Sequence, residues 1–153
     1  MPRLQILSKQ EIINFDNPPN LDFVDRKKYF EPDKQISKII KNFDISNKVG
    51  FILLYGYFLI TKRFITADKF HYKDIKYVLN FLSVDEVDID FDKYMRKGYQ
   101  RHKKIIVELE GFTIYDDSDK NLIINGIDSN ILNQSRPRQI FFNTITFLNL
   151  RKN

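Results

Sequence analysis

Apolar residues along this chain recur at spacings of three and four over most of its length. Ile36, Ile39, Ile40 and Phe43 fall at i, i+3, i+4 and i+7, one face of a helix. Ile75, Val78, Leu79 and Leu82 repeat that spacing. His102, Ile105, Ile106 and Leu109 do so again, and Gly111 follows as a natural stop. Ser8 and Glu11 have the spacing of a capping box ahead of Ile12, Ile13 and Phe15, which predicts a short first helix broken by Pro18 and Pro19. The segment LDFVDRKKYF forms a second candidate, closed before Pro32. The greasiest run, VGFILLYGYFLI from Val49 to Ile60, reads as a buried helix led in by the polar ISNK. Gly50 and Gly56 inside it would each cost about 1 kcal/mol against alanine, which implies a close packing of backbones there.

Two stretches depart from this period. Val87, Ile89 and Phe91 alternate with Asp88, Asp90 and Asp92, a period of two that predicts a short extended link near 87–92. Beyond TIYDDSD, one helix is expected over roughly Lys120 to Asn133, weakened by Gly126. Another is expected from SRPRQ, with Ser135 as cap, Pro137 in the first turn, and Phe141, Ile145 and Leu148 on its apolar face. It meets the chain end without a closing signal, so a truncated following segment is expected. The sum is a mostly α, multi-helix fold of seven or eight short helices. The runner-up is an α+β domain, which the Ile, Tyr and Phe content allows. A helical domain over 1–115 and a helical extension over 116–153 are the expected divisions.

Composition narrows this picture. A chain of 153 residues is one domain by length, and 42% hydrophobic content excludes a disordered chain. Ala67 is the sole alanine, while Ile, Lys and Asn abound, as AT-rich codons would give; periodicity therefore outweighs residue propensity as a guide. The absence of cysteine excludes disulfides and thiolate metal sites and fits a reducing compartment. The start, MPRLQILSKQ, lacks the apolar stretch of a signal peptide, and the Val49–Ile60 run falls short of the roughly 20 residues needed to span a bilayer. A soluble cytoplasmic protein with no membrane partner is expected.

Little points to catalysis. Asp88-x-Asp90-x-Asp92 copies the opening of a calcium loop, but Lys93 stands where the turn needs glycine and Tyr99 where a bidentate glutamate belongs. A solvated acidic link is the simpler reading. A two-metal nuclease site draws its carboxylates from separate elements, which a local run does not supply. His71 and His102 are far apart with no cysteine, so no zinc site is expected. His102 lies on an apolar stripe and is expected as a half-buried core histidine. No glycine-rich phosphate loop and no G-x-S-x-G elbow occurs. Catalytic residues, metals and cofactors are therefore all expected to be absent.

Charge supplies the one strong feature. Residues 85–92 hold five acids, and residues 94–104 hold five bases: Arg96, Lys97, Arg101, Lys103 and Lys104. The whole chain carries a net charge of +5, which permits a polyanionic partner without demanding one. On a helix from about Tyr99, Arg101, Lys104 and Glu108 share a face away from Ile105 and Ile106. Bases at a helix start oppose its dipole unless an anion compensates. A phosphate backbone would do this. Ordinary pairing with the upstream acids would do it equally, and charge alone leaves both readings open.

With these residues in view, the chain resembles the N-terminal region of Tn-three family transposases over nearly its whole length. The resemblance is carried by LSKQEIINF, Pro18 and Pro19, Arg26, Tyr29 and Phe30, the NKVGFILLYGYF block (Asn47 to Phe58), and Phe64. It continues through Phe70 to Val78, Tyr94, the Arg101–His102 pair, the run up to Gly111 and Phe112, and RPRQIFF from Arg136. Leu59 departs from a lysine expected after GYF, and Lys97, Gly98 and Tyr99 match loosely where a threonine commonly precedes Arg-His.

The resemblance implies a helical DNA-binding domain of helix-turn-helix character that recognises terminal inverted repeats. It also implies no enzyme activity in this chain, because strand transfer belongs to a later domain. The implied partners are double-stranded DNA and other transposase chains. Arg96, Lys97, Arg101, Lys103 and Lys104 become phosphate or groove contacts, Tyr99 a hydrogen-bond donor to phosphate, and Lys73 and Lys76 on the exposed face of the Ile75–Leu82 helix a second set. The alternative is a non-catalytic interaction or regulatory domain, a degenerate fragment that pairs with another transposase chain. A membrane-surface or RNA-binding basic module is a more distant third.

Overall fold

Short side-chain acceptors start most of the helices in the computed structural model, which describes residues 6–112, 117–132, 140 and 141. Helix α1 (Lys9–Asp16) opens on the expected capping box: Ser8 Oγ accepts from the Glu11 N–H at 3.2 Å, and Glu11 Oε2 accepts from the Ser8 N–H at 2.9 Å. Helices α2 (Phe23–Phe30), α3 (Lys34–Ile40) and α4 (Ile45–Thr61) follow extended aspartates. Asp22, Asp33 and Asp44 accept from the N–H groups of Asp25, Ile36 and Asn47 at 2.8, 2.8 and 2.9 Å. Such caps contribute about 1 kcal/mol each.

Helix α5 (Tyr72–Leu82) follows a 3-10 turn at Ala67–Lys69, and a second 3-10 turn at Glu86–Asp88 leads to α6 (Phe91–Lys97). There Asp90 accepts from the Lys93 N–H at 2.8 Å. Helices α7 (Tyr99–Leu109) and α8 (Asp117–Leu132) complete the order. Among the described residues there are eight α-helices and no strand, the mostly α class that the periodicity predicts.

The chain divides into two units, residues 13–105 and residues 1–12 with 106–153. In the first unit α4 is the hub, packing against α2, α3, α5 and α6. Its Val49, Phe51, Leu53, Leu54 and Tyr57 are wholly enclosed. The close approach expected at Gly50 and Gly56 is made mainly by rings rather than by a second backbone: a Cβ at Gly50 would stand 2.5 Å from the Tyr94 ring, and one at Gly56 2.5 Å from the Phe30 ring and 2.9 Å from the Tyr29 carbonyl. Both helices that pass these points do so because the side chain is missing.

In the second unit, α7 ends at Gly111 with φ 68°. The Phe112 N–H donates to the Val107 carbonyl and the Gly111 N–H to the Glu108 carbonyl, a Schellman closure. Helix α8 runs Asp117–Leu132 rather than Lys120–Asn133, and its Leu122 and Ile124 are exposed. The last expected helix, from Ser135, lies outside the described residues except at 140 and 141, which are helical.

One expectation is corrected. The link near 87–92 is extended only at Ile89 and Asp90, because Glu86–Asp88 forms the 3-10 turn and Phe91 already begins α6. The alternating aspartates thus mark a turn and a helix cap. Val87 has no sheet neighbour to cover it and is 90% exposed. Among the described residues, no helix is long and apolar enough to cross a membrane.

Candidate nucleic-acid interface

Helices α6 and α7 are separated by the single residue Gly98. Its N–H donates to the Tyr94 carbonyl at 2.8 Å, and its carbonyl accepts from the His102 N–H at 2.9 Å. Tyr94, Tyr99, His102 and Ile106 are buried, the last three at the i, i+3, i+7 spacing of one helix face. Arg96, Lys97, Arg101, Lys104 and Glu108 are exposed, while Lys103 is half-buried.

The break at Gly98 changes the electrostatics expected of this stretch. Arg96 and Lys97 occupy the last turn of α6, where the helix dipole favours cations. Lys103 and Lys104 lie beyond the first turn of α7. The unfavourable end of a helix therefore falls to Arg101 alone, not to five bases. Direct pairing with the upstream acids is not seen: among the described residues no carboxylate comes within salt-bridge distance of Arg96, Lys97, Arg101, Lys103, Lys104, Lys73 or Lys76. Asp90 is engaged instead as the α6 cap. Asp44 is held below its ordinary value mainly by the Asn47 N–H, with smaller contributions from the Asn47 side chain, Lys93 and Arg101, and with burial acting against them.

Aromatic rings support two of these bases. The Arg101 guanidinium lies 5.4 Å from the Phe43 ring centroid, and the Lys103 ammonium lies 5.4 Å from Phe64 and 5.5 Å from Tyr99. Tyr99 itself does not share the exposed face. It is 5% exposed and sits edge-on to Tyr94, and burial, followed by the charge of Asp68, raises its hydroxyl pKa. Lys73 and Lys76 are exposed on α5, which packs against α2 and α4.

Beneath Arg101 lies His102, fully buried where the sequence suggested half-burial. Phe43 stacks on its ring, with centroids 4.9 Å apart and planes 7° from parallel. Nδ1 is 3.1 Å from the Tyr94 hydroxyl, and Nε2 is buried without a hydrogen-bond partner. Burial lowers its pKa to about 4, with Arg101 acting in the same direction and Asp44 against it. The imidazole is therefore neutral at pH 7.

A second buried polar cluster was missed from the sequence. Asp74 of α5 is fully buried. It accepts from Arg26 Nε at 2.6 Å and from the Tyr57 hydroxyl at 2.5 Å, with His71 Nδ1 at 3.9 Å. The available signal was positional: Asp74 falls four residues before Val78 on the apolar stripe of α5, where a lone carboxylate requires partners. Burial, then the bond to Asp74, raises the Tyr57 pKa. Among the described residues no group of three His, Cys, Asp or Glu could hold a metal ion.

Within residues 13–105 helices thus pack around α4, and exposed bases stand on α6 and the first half of α7. The chain belongs to the family described as Domain of unknown function (DUF4158), whose profile matches residues 6–153. Domains of this family are found in transposase-like proteins. No curated protein and no solved structure matches the chain.

Proposed function

We propose that this chain is the DNA-binding module of a transposase of the Tn-three type, a cytoplasmic protein that recognises the terminal inverted repeats of its element. The observation that supports this reading best is the set of exposed, unpaired bases on α6 and α7: Arg96, Lys97, Arg101 and Lys104. Unpaired cations on a rigid helical support are suited to holding backbone phosphates. Lys103, leaning over Phe64, and Lys73 and Lys76 on α5 are further phosphate contacts in this proposal. Tyr99 is left out because its ring belongs to the core.

The test is binding of the chain to a labelled duplex carrying the inverted-repeat end, against a scrambled duplex, over a salt series. Tighter binding to the repeat with a steep negative dependence on salt supports the proposal. Equal, salt-independent or absent binding removes it.

A second reading is a module that pairs with another transposase chain. Phe23 and Val24 at the start of α2 favour it, being 67% and 70% exposed. Sedimentation of the chain alone at rising concentration separates the two, since association lost in Phe23→Ser would support pairing.

A further inference from the structure

A cleft beside Phe15 and Arg63 is lined by two cations and one acid, none of them in a direct ion pair. It lies within residues 13–105, has a volume of about 350 Å³, and its walls include Phe15, Asp16, Arg63, Phe64, Thr66 and Lys69. That volume is at the lower end of the range for small-ligand sites, about 300–1,000 Å³. The Arg63 guanidinium carbon stands 4.1 Å from the centroid of the Phe15 ring, and its Nε is buried without a hydrogen-bond partner. Lys103 of the α7 basic face reaches to 5.4 Å from the Phe64 ring, which lines the same cleft. Among the described residues none of Arg63, Lys69 and Lys103 has a carboxylate within salt-bridge distance. Asp16 acts on Arg63 from further away and opposes, without overcoming, the effect of burial. Arg63 and Lys69 face Asp16 in the cleft wall, with Lys103 beside it and the charge of Asp68 reaching Tyr99 under Lys103.

A buried guanidinium nitrogen that lacks a hydrogen bond is a standing cost, and an entering anion would supply the acceptor. The rings at the cleft already carry partners: Phe15 carries Arg63, and Phe64 carries Phe58, with centroids 4.7 Å apart, as well as Lys103. What remains is a donor set for a phosphate: a planar guanidinium fork, two ammonium groups, and the hydroxyl of Thr66, which makes no capping bond to the 3-10 turn it precedes.

We propose that this cleft takes one phosphate group of a nucleic-acid strand passing α7, held by Arg63 and flanked by Lys69 and Lys103. This rests on the DNA-binding reading and adds to it an anchor outside α6 and α7. The test has two arms on the full chain. In the first, inorganic phosphate is titrated at fixed ionic strength while the backbone amides of residues 63–69 are followed by NMR. Saturable shifts in the parent chain, lost in Arg63→Gln, are expected. In the second, a short mixed-sequence duplex is bound over a salt series, and Arg63→Gln should reduce the slope of log K on log salt by about 0.9, the value of one phosphate contact.

Absent phosphate shifts, or shifts and slope unchanged in Arg63→Gln, overturn the cleft while leaving DNA binding by α6 and α7 intact. Phosphate shifts in a parent chain that binds no duplex overturn the nucleic-acid source and the DNA-binding reading together. Should Arg63→Gln lose its fold, Lys69→Gln carries the same two measurements with the same criteria.

Discussion

Two buried polar sites touch the central helix α4, and they solve the problem of burial in opposite ways. Near its C-terminal half, Asp74 keeps a charge out of water by taking Arg26 on one carboxylate oxygen and the Tyr57 hydroxyl on the other. Near its N-terminal half, His102 stays neutral, bonds only Tyr94, and lies between Phe43 and Phe51 with Nε2 unpaired. The first site ties three helices, α2, α4 and α5, through directional bonds. The second is held by ring packing and lies under the basic face. A charge buried with full partners is costly to disturb, whereas a neutral ring with one bond can be replaced by another ring.

The largest effect should follow from Asp74→Ala, which strands the Arg26 charge in a partly buried place. A loss of about 3–5 kcal/mol is expected, read from the urea midpoint. A loss under 1 kcal/mol would mean that the ion pair does not organise α2 against α5.

The His102 site should reveal itself through pH instead. Above pH 6.5 the imidazole is neutral in the folded and unfolded chain, so its contribution is constant. As pH falls from 6.5 the unfolded chain gains a proton that the folded chain refuses until about pH 4. Stability should therefore decline across that window by up to about 3 kcal/mol, and the decline should shrink in His102→Phe. Asp44 contributes in the same direction only below its ordinary value of 3.8, which keeps the two windows apart. A flat profile between pH 6.5 and 4 would contradict a neutral, enclosed His102.

The matched hydroxyl deletions sharpen the contrast. Tyr57→Phe removes a bond to a charged acceptor and should cost about 2 kcal/mol, while Tyr94→Phe removes a neutral bond and should cost about 1 kcal/mol or less. Equal losses in thermal or urea unfolding would erase the distinction between the sites.

Much of this fold was legible because helical spacing is a local property. The capping box at Ser8 and Glu11, the glycine stop at Gly111, and the tight packing at Gly50 and Gly56 each follow from a few neighbouring residues. The aspartate run at 88–92 misled because capping and turn formation produce the same alternation as a strand over so short a length. The sequence placed Arg101 and Lys104 on a face away from Ile105 and Ile106, and both are exposed. The electrostatics of the basic stretch were less legible: the start of α7 at Tyr99 could be read, but the start of the preceding helix α6, which takes Arg96 and Lys97 into its last turn, reads in the sequence as an extended link. Tyr99 and Asp74 share a lesson. Burial depends on partners distant in sequence, so a tyrosine among bases could be core and an aspartate among lysines could be the centre of an ion pair.

The most direct measurement neutralises the basic face as a whole. Arg96, Lys97, Arg101 and Lys104 are exposed and in no salt bridge, so Arg96→Gln, Lys97→Gln, Arg101→Gln and Lys104→Gln combined should leave the chain folded, at the cost of the helix-dipole and Phe43 ring contacts of about 0.5 kcal/mol each. If α6 and α7 hold DNA, the slope of log K on log salt for an inverted-repeat duplex should fall by about 0.9 for each phosphate contact removed, and affinity at moderate salt should fall with it. A folded variant that binds the duplex with the parent's affinity and slope would contradict the assignment of this face to DNA.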